Sequence, residues 1–184
     1  MLERTLVVVN GLPATGKTTL ARVVADILGL PLFIEDDYKE AIFDKIGVQD
    51  REWSKTVGSA AIRIHFRVIE ACLRAGVSCM IENFFRREIF SDRITKLCFQ
   101  HGFSCVQVLC YADGEEVYRR FSNRALSGER HPGHDDANCL ERFRPSLLQW
   151  RLDPLILPGR LIEVDTTEFS KVDFAAIAED IRRR

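Results

Sequence analysis

Gly11-Leu12-Pro13-Ala14-Thr15-Gly16-Lys17-Thr18 carries the spacing G-x-x-x-x-G-K-[ST], a glycine-rich turn closed by a cation and a hydroxyl. The glycines let the backbone bend close around an anion, and the N–H groups of such a turn converge beside the positive end of the helix that follows. Lys17 supplies a mobile charge for the outer phosphates of a nucleoside triphosphate, and the Thr18 hydroxyl supplies a ligand for Mg2+. The expected nucleotide contacts run from Gly11 through Thr18 to the adjoining Thr19, with ATP or GTP as ligand.

Binding a nucleotide does not by itself choose a reaction, so the remaining polar clusters matter. Asp36-Asp37 follows a short apolar run, Leu32-Phe33-Ile34, and strand ends of this kind line the ligand crevice of open α/β sheets. A carboxylate there can take the proton of a hydroxyl that attacks the γ-phosphate. Either Asp can instead cap the next helix, and both roles fit together with Asp36 as base and Asp37 as cap. Glu82-Asn83 ends another apolar run and offers an indirect Mg2+ contact or a substrate contact, with Asp36, Asp37 and Lys39 as the other expected acceptor-binding residues.

A third cluster is Arg119, Arg120, Arg124 and Arg130, followed by His131 and His134. Arg120 and Arg124 share a helix face, and Arg130 falls in the polar stretch between Leu126 and Asn138. Phosphoryl transfer spreads charge over three oxygens, which Arg120, Arg124 and Arg130 on a closing lid can stabilise together with Lys17. The alternative is a solvated helix paired with Glu115, Glu116 and Glu129. No Cys or carboxylate spacing completes a zinc site around the two histidines. Asp165-Thr166-Thr167 leaves the last apolar run, where Thr166 offers either a contact to adenine or a helix cap.

These residues need a scaffold, and the apolar pattern supplies one. Short β-branched runs at Leu6–Val9, Leu32–Ile34, Val77–Ile81, Val106–Leu109 and Leu161–Val164 alternate with longer amphipathic stretches. The stretches include a helix after Lys17 ending at Gly29, one from about Asp37, and a long one from Ser54 to Ala75. Such alternation predicts right-handed crossovers and a mainly parallel sheet covered by helices on both faces, an α/β three-layer sandwich. The 184 residues, without a repeat or linker, predict one domain over 1–184 with a lid at about 120–140.

With 26 basic and 27 acidic residues the net charge is −1, which excludes a wholly basic nucleic-acid binder and a polyacidic tail. Arg makes up 20 of the 26 basic residues, which suits phosphate chemistry but also follows from codon bias. The terminal Arg182-Arg183-Arg184 run reads as a solvated helix end. Six cysteines form no C-x-x-C pair and read as buried apolar side chains in a reducing compartment. No apolar stretch approaches membrane-spanning length, so the expected location is the cytoplasm, without membrane contact.

Gly11 to Thr19, Asp36, Glu82 and the Arg lid, in this order, resemble the small P-loop kinases: chloramphenicol phosphotransferase, gluconate kinase, the zeta-toxin group and polynucleotide kinase. The resemblance extends to AAA-like P-loop ATPases. Asp36-Asp37-Tyr38-Lys39 is similar to the D-D-Y-R segment of polynucleotide kinases, with Lys39 in place of the Arg. The resemblance implies a five-stranded sheet of order 2-3-1-4-5 and Asp36 as base. The reaction expected is γ-phosphoryl transfer from ATP, with Mg2+, to a hydroxyl of a small molecule. A polynucleotide 5′-hydroxyl is the second expectation, and an ATP-hydrolysing switch the third.

Overall fold

The structure, a computed structural model, describes residues 2–149 and 151–183, so Arg184 of the terminal Arg run lies outside the described residues. β1 (Thr5–Gly11) is buried along its whole length and occupies the middle of a five-stranded parallel sheet. The others are β2 (Leu32–Ile34), β3 (Cys79–Glu82), β4 (Ser104–Tyr111) and β5 (Gly159–Asp165), in the order β2-β3-β1-β4-β5. Val8 lies in register with Ile81 on one side and Gln107 on the other. The β1 apolar run is continuous because both faces are covered.

Side-chain alternation sorts that run between two cores. Val7 and Val9 pack with Leu20 and Val24 of α1 (Lys17–Leu28) and Ile177 and Ile181 of α7 (Phe174–Arg182). Leu6 and Val8 point the other way, toward Phe66 and Ile69 of α3 (Arg51–Arg74) and Ile94 of α4 (Arg87–His101). The remaining helices are α2 (Glu35–Ile46), α5 (Gly114–Leu126) and α6 (Leu140–Leu148). α5 and α6 share a separate small core of Val117, Phe121 and Leu147. Among the described residues no helix is long and apolar enough to cross a membrane.

Three local departures from the sequence pattern bear on the site. α2 begins at Glu35, directly after β2, with no side chain capping it. Asp37 is therefore not the cap expected of it; with Glu35 and Asp36 it lies inside the first turn, where negative charge meets the helix dipole favourably. α3 begins at Arg51, not Ser54, because the Asp50 side chain accepts a hydrogen bond from Trp53 N and caps it. The polar stretch after α5 is built from two single-turn 3-10 helices, Pro132–His134 and Ala137–Cys139, leading into α6.

Candidate functional site

The turn between β1 and α1 is shaped by backbone conformations that few residues tolerate. Gly16 has φ 76° at the N-terminus of α1, and Ala14 adopts φ 63° in the middle of the turn. A left-handed non-glycine residue costs about 1 kcal/mol or more and persists where its surroundings hold it. Here Thr15 is fully buried and its hydroxyl donates to the Leu12 carbonyl at 2.9 Å. No side chain caps α1, so its first-turn N–H groups remain available to an anion.

Glu82 ties the loop's two chemical groups to the neighbouring strand. Its Oε2 accepts from the Thr18 hydroxyl at 2.8 Å, and its Oε1 lies 3.4 Å from Lys17 Nζ. Lys17 and Glu82 are both buried. One hydroxyl and one carboxylate side by side, next to a phosphate cradle, match the sparse protein ligand set of Mg2+, which keeps several waters and phosphate oxygens. Thr18 and Glu82 would thus hold the ion, which when bound offsets phosphate charge. Among the described residues no cluster of three His, Cys, Asp or Glu side chains offers an all-protein metal cage.

Beyond the loop lies a cavity of about 220 Å³ bordered by Lys17, Asp36, Lys39, Arg51, Arg124 and Arg130, among others. Arg130 Nη2 donates to Asp36 Oδ2 at 2.8 Å, Nη1 donates to Glu40 at 3.2 Å, and Nε approaches Asp136 at 3.4 Å. His134 Nε2 meets Glu40 at 2.8 Å and its Nδ1 meets Arg130 at 3.0 Å. Arginine can only donate, so Nδ1 accepts and Nε2–H donates to Glu40, which defines the neutral tautomer. Burial lowers the His134 pKa to about 3 despite Asp36 nearby, with Arg130, Lys39 and Arg124 adding to the effect.

The two adjacent acids at the start of α2 titrate apart. For Asp36, burial acts to raise the pKa, but Arg130 and Lys17 outweigh it and hold the group at about 2. His134 adds to the lowering, because it takes up a proton in the same acid range in which Asp36 titrates. Glu35 is 8% exposed, and burial together with Asp36 raises it to about 7 against the pull of Lys39. Environments that push neighbouring titratable groups in opposite directions are typical of reaction sites.

A second, smaller cavity lies against Ala14, Gly16, Lys17, Thr18 and Thr19 and is closed by Arg120 and Arg124. Arg124 borders both cavities. Its Nη2 reaches Asp136 at 3.4 Å, while its Nε is buried without a hydrogen-bond partner. Arg120 is held by Glu116 and by the carbonyls of Thr166 and Thr167 at 2.9 and 2.8 Å.

The structure thus brings Lys17, Asp36, Lys39, Glu82, Asn83, Arg124 and Arg130 to one cavity, and Arg120 to the loop side. Four of the residues marked in the sequence lie elsewhere: Arg119 pairs with Glu116 at 2.7 Å and His131 meets Asp44 at 3.3 Å, and Asp37 and Thr166 join them outside the cavities. Asp37 points away and pairs with Arg22 at 3.7 Å on an exposed face. Thr166 is fully buried beneath the loop: its hydroxyl donates to the carbonyls of Thr15 and Tyr111, its N–H to Tyr111, and its carbonyl accepts from Arg120. With its hydroxyl, N–H and carbonyl all engaged inside the protein, Thr166 braces the loop from below. Glu35, Glu40 and Arg51 drew no attention in the sequence, since only the packing of α2 against α3 and the 130–136 segment gives them partners. The one sequence signal was the i, i+4 spacing of Asp36 and Glu40 on α2.

A parallel sheet of order 2-3-1-4-5 with this glycine-rich turn, lysine and hydroxyl at the end of its central strand defines the P-loop nucleotide-binding fold. The chain belongs to the AAA domain family, whose model matches residues 6–145. No curated protein matches its sequence. Over 98% of its length it is similar to a candidate kinase of Chloroflexus aurantiacus, covering 98% of that chain at 37% identity and a TM-score of 0.90. It shares its fold with Kti12 of Chaetomium thermophilum, solved in complex with ADP-AlF3, at 16% identity, TM-score 0.66 and 96% coverage of each chain. The fold is also that of a gluconokinase from Sinorhizobium meliloti, at 14% identity and TM-score 0.55, covering 99% of this chain and 91% of that one.

Proposed function

We propose that the chain is an ATP-dependent phosphotransferase that moves the γ-phosphoryl group to a hydroxyl of a small-molecule acceptor, with Mg2+ as cofactor. The observation that carries this reading is Arg124, which borders the loop cavity and the acceptor cavity at once, where a phosphoryl group in transit would sit. Lys17 and the loop N–H groups hold the phosphates, and Arg120, Arg124 and Arg130 offset the charge on the equatorial oxygens. Asp36 accepts the acceptor's hydroxyl proton as the new O–P bond forms and the bond to the β-phosphate oxygen breaks. A carboxylate with a pKa of about 2 is a weak base, but a loose transition state releases that proton late, so orienting the hydroxyl is its main task. The likeness to kinases points the same way.

The test is incubation with γ-labelled ATP and a panel of sugars, nucleosides, antibiotics and 5′-hydroxyl oligonucleotides. Labelled small-molecule product supports the reading; labelled oligonucleotide alone, or ATP-dependent capture of another protein with no phosphorylated product, overturns it. With the acceptor found, Asp36→Asn should cut transfer by about 100-fold or more and leave nucleotide affinity within a few-fold.

A further inference from the structure

Five cations border the acceptor cavity, and three of them have carboxylates within reach: Lys17 with Glu82, Arg124 with Asp136, and Arg130 with Asp36 and Asp136. Lys39 and Arg51 differ. Among the described residues neither forms an ion pair within 4.0 Å. Arg51 donates from Nη1 to the His134 carbonyl at 3.0 Å and lies over the Phe143 ring, while its Nε is buried with no hydrogen-bond partner. Lys39 Nζ lies over the Phe43 ring, 5.7 Å from its centroid. The two come from different helices yet sit close enough to oppose one another's charge. Burial, then repulsion from Arg51 and Arg130, lowers the Lys39 pKa against the pull of Glu35 and Asp36. Half-buried like charges with unfilled donors are costly, and an anion placed between them removes that cost.

The spacing along α2 sets the shape of such a ligand. Lys39 stands three residues after Asp36, just under one helical turn, so the two side chains leave the same face of α2 and one small ligand can meet both. Resting on the phosphotransferase reading, we infer that Lys39 and Arg51 form an anion-binding subsite, and that the acceptor is a small hydroxyl compound that also carries a carboxylate or phosphate. The cavity volume of about 220 Å³, walled on one side by Arg130, His134 and Asp136, favours a small molecule over a polymer.

The subsite can be tested without knowing the acceptor. Protein saturated with Mg·ADP, so that the loop is filled, is titrated calorimetrically with inorganic phosphate, acetate and glycerol at constant ionic strength. Phosphate or acetate should bind and glycerol should not. Lys39→Met and Arg51→Gln should each weaken anion binding by about tenfold or more, the loss of one charge-assisted contact, with Arg51→Lys recovering part of it. No anion binding by the wild type, or binding that neither variant changes, overturns the inference. A turnover arm pairs neutral polyols with the corresponding acids and phosphate esters. Transfer to the anionic members supports the subsite and identifies which anion is used; equal transfer to neutral members, or preference for a 5′-hydroxyl oligonucleotide, overturns it. Anion binding that responds to both variants, with no transfer to any acceptor, keeps the subsite and removes the phosphotransferase reading instead.

Discussion

Glu35 and Asp36 occupy consecutive positions on α2, and the opposite direction of their titration gives each a separate signature. The Glu35 pKa rises from 4.5 to about 7, so its ionised form is disfavoured in the folded chain. No stability is lost to it below pH 4.5; the loss grows as pH climbs and is complete above about 7. The Asp36 pKa falls below its ordinary 3.8, so its contribution is present above that value and disappears only as pH drops toward 2. Glu35→Gln should therefore raise stability at pH 8, by an amount on the order of 3 kcal/mol at most, and leave it nearly unchanged at pH 4.5. Urea titrations at the two pH values measure this; an equal gain at both would show that packing, not charge, is responsible. The pair also shows what the sequence reveals at this scale. Asp36 stood out because its position after a strand implied a crevice, whereas Glu35, one residue earlier, owes its character to burial by elements distant in the chain. Arg130 likewise reads as a lid cation, and its contacts to Asp36 and Glu40 exist only because a segment 90 or more residues away folds onto α2.

The 130–136 segment is the element whose behaviour depends most on such contacts. Its polar composition predicts a mobile loop, yet most of its groups find partners, the buried Nε of Arg130 being an exception. Ser54 donates to the Gly133 carbonyl at 2.7 Å, Arg51 donates to the His134 carbonyl at 3.0 Å, and His131 stacks on Phe43 and meets Asp44 at 3.3 Å. Gly133 is the seat of the arrangement, since a Cβ there would run into the Phe43 ring. Gly133→Ala should cost about 1–3 kcal/mol through overpacking, relieved by lifting the segment off α2. Hydrogen exchange over residues 128–136 should then accelerate while the β-sheet stays protected; unchanged exchange would show that Phe43 simply turns aside. The bracing beneath the phosphate-binding loop is a second element-scale device. Thr166→Val keeps the shape but removes donation to Thr15 and Tyr111, leaving a buried carbonyl short of a partner, at about 1–3 kcal/mol. Nucleotide affinity should fall with it, measured by titration with ADP, because Thr15 anchors the turn. Legibility at this scale follows apolar periodicity. The five strands and α1 were evident from continuous β-branched runs and helical spacing, while α6, nine residues long with Pro145 inside it, buries chiefly Leu147 and offers too weak a stripe to be seen.

At the scale of the whole molecule, a parallel sheet places the ends of β1, β2 and β3 at one edge, so groups from Gly11, Glu35 and Glu82 meet although the chain separates them widely. The net charge of −1 gave no hint of this, because the local surplus of cations in the cleft is offset by acids elsewhere on the surface. That surplus has a consequence for folding as well as for binding: a nucleotide bound at this edge joins loop, α1, β3 and α5, and ties its binding free energy to the stability of the entire sheet. A slowly hydrolysed ATP analogue with Mg2+ at about 100 times its Kd should stabilise the chain by about 2.7 kcal/mol, a rise of roughly 5–10 °C in Tm for a protein of this size. Lys17→Met should abolish the shift. That variant leaves the buried Glu82 carboxylate without its cation and is itself expected to lose about 3–5 kcal/mol, so the double variant K17M/E82Q restores a neutral pair against which the ligand effect can be read. A thermal shift of wild-type size in the folded double variant would place nucleotide binding away from Lys17, and with it the site on which the phosphotransferase assignment stands.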